Sequence, residues 1–162
     1  TGNPMKPITY LTAACLALSL VACSTPMSKQ DSNPWLDLRA GSADYDISGK
    51  WTTAGSWGGD WGEANFIQDG ARFYGQLGSY YVDGSMNGNY MYLALSSGSK
   101  VYYTAMLKRE PDGGFAGKVA RDYIIDGKNA DNAGYQIMIL SRPKPATTPV
   151  PKPGAGAPPR AM

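Results

Sequence analysis

From Tyr45 to Leu140 apolar and polar residues alternate one by one, and turn signals interrupt the alternation at short, regular intervals. That combination predicts short strands joined by hairpins, because alternate side chains of a strand point to opposite faces. Ile47, Gly49, Trp51 and Thr53 fall on one face of a first strand. Glu63 to Gln68 forms a second, ended by the hairpin signal Asp69-Gly70. Phe73 and Leu77 then alternate with Arg72, Tyr74 and Gln76, and Val82 and Met86 with Tyr81, Asp83 and Ser85. Asn87-Gly88 is another hairpin signal, and Pro111-Asp112-Gly113 another turn. The expected architecture is all-β: a small antiparallel up-and-down barrel of about eight strands, closed so that no strand edge is left exposed. The boundaries are residues 1–22 ahead of the mature chain, a tether over 23–43, the barrel over 44–142, and a Pro/Ala-rich basic tail over 143–162 that is expected to be disordered.

The chain contains no histidine, which removes the commonest general base and metal ligand. Asp60 with Glu63, and Asp122 with Asp126, read as solvated loop charges rather than catalytic pairs. Asp126, Asn129, Asp131 and Asn132 supply oxygens without the spacing of an EF-hand loop. We therefore expect no enzymatic activity, no metal and no cofactor.

Ahead of the barrel, Lys6 precedes an apolar run from Ile8 to Ala22, and the chain turns polar at Ser24-Thr25-Pro26. This is the three-part shape of a secretory leader. Met5 reads as the start, with Thr1 to Pro4 an upstream extension. The junction Leu20-Val21-Ala22-Cys23 resembles the lipobox of bacterial lipoproteins, in which the cysteine is diacylated and the chain is cut just before it. The resemblance implies lipidation at Cys23 and a lipid bilayer as partner. Ser24 after the cysteine implies the outer membrane. Cys15 would leave with the leader, so the mature chain would have no disulfide and must be held by burial. In the tether, Trp35-Leu36-Asp37-Leu38 is an apolar knot, either a short docked helical turn or a loosely held segment.

Ser48-Gly49-Lys50-Trp51 resembles the Gly-x-Trp opening of lipocalin and calycin barrels. Phe66 to Gly70, Tyr74-Gly75 and Gly84 to Gly88 are similar to small lipocalin-like domains of bacterial envelope proteins. The resemblance implies that an arginine from the last strand closes over Trp51, with Arg142 first and Arg121 second in line.

Two aromatic groups are the candidate contact residues. Tyr81, Tyr90, Tyr92 and Tyr102 alternate with Val82, Met91, Leu93 and Val101, which predicts a tyrosine stripe on the outer wall. Such a stripe serves either as a binding surface or as cross-strand support for the sheet. Trp57 and Trp61 either rim the barrel mouth and touch a ligand or plug it. The expected function is a membrane-anchored envelope lipoprotein with a non-enzymatic binding or structural role, toward an envelope protein or glycan and not nucleic acid. There are two alternatives. One is a hydrolase inhibitor, since Ser97 to Lys100 resembles the Ser-Gly loop of the small β-barrel lipoproteins that inhibit lysozyme. The other is a lipocalin-type carrier of a small molecule.

Overall fold

The computed structural model describes residues 26–58, 61–126, 128 and 136–145. The junction at 20–23, Asp60, Asn129, Asp131, Asn132 and the tail beyond residue 145 lie outside the described residues. Eight antiparallel strands form one sheet in sequence order: β1 (Gly49–Thr52), β2 (Glu63–Asp69), β3 (Arg72–Leu77), β4 (Tyr80–Asn87), β5 (Tyr90–Ser97), β6 (Lys100–Arg109), β7 (Phe115–Arg121) and β8 (Ile137–Leu140). Four successive hairpins have two-residue loops, Gly70-Ala71, Gly78-Ser79, Gly88-Asn89 and Gly98-Ser99. Each begins with a glycine at φ between 56° and 61°. Positive φ at the first loop residue matches the right-handed twist of the flanking strands, and only glycine takes it without steric cost.

The sheet closes on itself. Thr52 and Ser141 exchange backbone hydrogen bonds, as do Trp57 and Ile137, and the Ser56 hydroxyl spans to the Ile139 backbone. At the lower end of this seam Pro143 has no N–H to offer β1. Arg142 takes over, its Nη1 donating to the carbonyls of Ser48 (2.8 Å) and Lys50 (3.3 Å) and Nη2 to that of Asp46 (3.1 Å). Its guanidinium lies 4.0 Å from the centre of the Trp51 ring, the placement that the resemblance implies for Arg142. The Trp51 indole N–H is satisfied by the Ile47 carbonyl at 2.7 Å.

Inward-facing side chains fill the barrel. Trp51, Phe66, Phe73, Leu77, Met86, Leu93, Leu107 and Phe115 are among its buried core. Phe73 and Phe66 meet edge to face at 5.3 Å. The Phe73 ring lies directly on the backbone of Gly84, where a Cβ would collide with it, so this glycine is what admits a full aromatic ring into so narrow a barrel.

Of the two alternatives for the apolar knot at Trp35, the docked helix is the one formed, and it is longer than a single turn. Lys29–Arg39 is a helix, α1, that runs down the outer wall over β4, β5 and β6. Ser28 caps it: its N–H and hydroxyl both donate to Asp31 Oδ2, at 2.8 and 2.7 Å. These bonds hold the Asp31 carboxyl below the ordinary carboxylate range, the Ser28 backbone bond contributing most. Trp35 and Leu36 face the wall and join Met27, Tyr92, Ala94, Val101, Ala120 and Ile125 in a second buried cluster. The chain after β7 completes this layer. It turns back sharply at Asp122 (φ 61°), and the Thr104 hydroxyl fixes it by donating to the Tyr123 carbonyl and accepting from the Ile125 N–H.

Candidate functional site

The outer wall of β2 and β3, up to the edge of β4 that α1 flanks, is open. Strand register sets two rows of outward side chains across it: Asn65, Gln76 and Tyr81 toward the rim where β4 starts, and Ile67, Tyr74 and Asp83 below. Ile67, Tyr74 and Tyr81 are 53%, 50% and 56% exposed. With Lys29 they line a shallow groove of about 450 Å³. One flank is built by α1, whose Lys29 Nζ sits 3.0 Å from Asp83. The groove thus combines ring faces with two amides and one ion pair, a mixture suited to a ligand with both apolar and hydrogen-bonding surface.

The four tyrosines expected in one stripe do not form a continuous ladder. Tyr81 is exposed in the groove. Tyr90 is 39% exposed and stacks on Tyr92 at 6.4 Å. Tyr92 points outward but is buried beneath α1, edge-on to Trp35 at 5.9 Å with Arg39 5.4 Å from its ring centre. Tyr102 departs for a different reason. A bulge opposite Leu95 and Ser96 inserts it as the extra residue, since Leu95 pairs with Tyr103 and Ser96 with Val101. The slip shifts the alternation, so that Val101 joins the outer cluster and Tyr103 packs against the inner one. Tyr102 is half-buried beside Tyr80 (6.1 Å), with the Lys100 ammonium 4.4 Å from its ring.

The two tryptophans divide between their alternatives. Trp61 is buried and plugs the mouth, edge-on to Tyr103 at 4.8 Å. Tyr80 shares this plug, meeting Tyr103 at 5.6 Å. Burial first, and then the Tyr103 hydroxyl, pushes the Tyr80 phenol up. Trp57 is 61% exposed on the rim, backbone-paired with Ile137.

Of the imagined carboxylate pairs, Asp122 lies against Lys100 (3.6 Å) and Arg121 (3.4 Å). Among the described residues no group of three His, Cys, Asp or Glu is placed to hold a metal ion. No described helix is long and apolar enough to cross a membrane. Ile67 and Tyr74 are not among the residues that sequence reasoning picks out for the site, although the alternation already places Tyr74 opposite Phe73. Their signal is the pairing of Ile67 with Tyr74 across the Asp69-Gly70 hairpin. Comparison with protein families, curated proteins and solved structures finds no match.

Proposed function

We propose that this chain is a lipid-anchored protein of the bacterial envelope whose barrel is a non-enzymatic recognition module that binds through its outer wall. The observation that carries the reading is the contrast between a barrel interior filled by Trp51, Phe66, Phe73, Leu93 and Phe115 and the open groove at Ile67, Tyr74 and Tyr81. Space for a ligand lies outside the sheet, which favours surface recognition over carriage of a small molecule within. The Leu20-Val21-Ala22-Cys23 junction supports the anchor, and its acyl chains would supply membrane affinity on the scale of two lipid tails.

The test is metabolic labelling with a palmitate analogue, followed by membrane fractionation and mass spectrometry. The wild-type protein is expected to carry label at Cys23 and to fractionate with outer membrane, and Cys23→Ala to remain as unlabelled precursor. A mature protein with an unmodified Cys23 overturns the anchor. Lysozyme assayed with the purified protein tests the inhibitor alternative directly.

A further inference from the structure

We infer that the barrel rim at which the chain enters is a membrane-facing surface, seated on the headgroup region of the bilayer. The inference rests on acylation of Cys23. Two observations point to the same rim.

The first is the point of entry. The Met27 carbonyl accepts a hydrogen bond from the Val101 N–H at 2.8 Å, and Ser28 bridges to Lys100. Both partners lie at the start of β6, and the bulge at Tyr102 interrupts regular pairing next to them. Only residues 24–26 separate Met27 from Cys23. Even fully extended they let the two α-carbons lie at most about 14 Å apart. Strands β2 to β7 have six to ten residues, and at the usual barrel tilt they span roughly 15–25 Å along the axis, which is longer than that. The polar layer of each leaflet is roughly 5–8 Å deep. An acylated Cys23 therefore holds this rim close to the membrane, and the surface of the rim sets how the barrel stands on it.

The second observation is what the rim displays. The ends of β4, β6, β7 and β8 meet here, together with the segment that closes onto β8. Trp57 is 61%, Tyr81 56% and Ile137 41% exposed. Arg121 is exposed too and Lys100 half so, both against Asp122, and Glu63 is exposed on the same rim. Tryptophan and tyrosine with basic residues is the mixture that settles at membrane interfaces, where rings have an apolar body and a polar tip and cations meet anionic headgroups. Trp57 and Ile137 are fixed in place by two 2.9 Å backbone hydrogen bonds, so little ordering is needed on contact. The opposite rim mixes exposed Asp44, Asp46, Asp69 and Glu110 with exposed Lys50 and Lys108. Its arginines are engaged within the fold, Arg72 on Asp37, Arg109 on the Tyr45 ring and Arg142 on Trp51. What turns this rim to the bilayer is therefore the short link to Cys23 together with exposed Trp57, Tyr81 and Ile137, and not net charge.

The experiment uses the full lipidated protein in vesicles of phosphatidylethanolamine and phosphatidylglycerol. Nitroxide probes are placed at Ile137→Cys on the entry rim and at Glu110→Cys on the opposite rim. The expected result is a several-fold lower collision rate of the Ile137→Cys probe with a water-soluble relaxant than of the Glu110→Cys probe. Equal rates in a protein whose Cys23 is shown by mass spectrometry to be diacylated overturn the orientation and leave the anchor standing. An unacylated Cys23 overturns the anchor, and the orientation falls with it. Both substitutions are at exposed positions, and circular dichroism of each variant confirms that the barrel is intact.

Discussion

The molecule has two buried clusters on opposite faces of one sheet, and they are built to different standards. The inner cluster is aromatic and aliphatic, and the indole N–H of Trp51 in it is hydrogen-bonded. The outer cluster lies between α1, the 122–126 segment and the wall. Among the described residues, buried polar atoms without a partner are more frequent on this side, with Trp35 Nε1 and Tyr123 Oη in the cluster and Ser85 Oγ on β4, against Trp61 Nε1 in the inner cluster. Each such atom offsets about 1–3 kcal/mol of the apolar gain from burial. The ion pairs that pin the helix, Lys29 with Asp83 and Arg72 with Asp37, are partly exposed and are worth at most about 1 kcal/mol each. The lesson is that the barrel is the unit of stability, while α1 is a covering that can open at lower free energy.

The largest effect should come from the inner cluster. Trp51→Ala removes the ring that touches Phe115 and supports Arg142. It is expected to cost about 3–5 kcal/mol, read as a urea midpoint shift common to both layers. A shift of the helix signal alone would break the comparison.

A smaller, local effect is expected from Leu36→Ala, which empties a fully buried position under α1. The deletion removes about 2–5 kcal/mol of packing, but the global transition can lose only what docking of the helix contributes. Amide exchange should accelerate over Lys29–Arg39 while β4 and β5 stay protected. An equal loss of protection in both would show the two clusters to be one cooperative unit.

Acid should give the smallest effect and the same asymmetry. Asp31 is held below the ordinary carboxylate range by Ser28. A group depressed in the folded state stabilises fully above its unfolded value, about 4, and the contribution is lost as pH falls through the lower folded value. Amide protection at the start of α1, taken relative to the intrinsic exchange rate, should therefore fall below about pH 4 in the wild type and much less in Asp31→Asn. Identical pH profiles for the two would remove the cap from the account.

The barrel is largely legible in the sequence because its signals are local. Asp69-Gly70 and Asn87-Gly88 specify hairpins within four residues, and Trp51 and Phe73 are placed inward by alternation alone. The outer layer is not. Alternation says that Tyr92 points outward but cannot say that Trp35, more than fifty residues earlier, covers it. The helix itself is muted, with Pro34 inside it and apolar contact concentrated at Trp35 and Leu36. Tyr102 falls into the expected stripe because one inserted residue leaves no mark in the pattern while reversing every side chain beyond it. Trp57 and Trp61 have similar glycine-rich surroundings. What separates them is that the Trp57 backbone pairs with Ile137 on the seam, whereas Trp61 packs against Tyr103.

The seam has a kinetic consequence. Every ladder from β1 with β2 to β7 with β8 joins sequence neighbours, so seven hairpins can form at low loop-closure cost. A short set of contacts joins the two ends of the sheet, among them the pairing of Thr52 with Ser141 and of Trp57 with Ile137, the Ser56 hydroxyl on the Ile139 backbone, and the Arg142 clasp. Ring closure is thus the expected last event in folding, after most of the sheet has assembled. Interactions absent from the folding transition state govern how fast a native protein opens rather than how fast it forms. Arg142→Ala is therefore expected to hasten unfolding while leaving the refolding rate nearly unchanged, which makes the clasp a determinant of the barrel's lifetime.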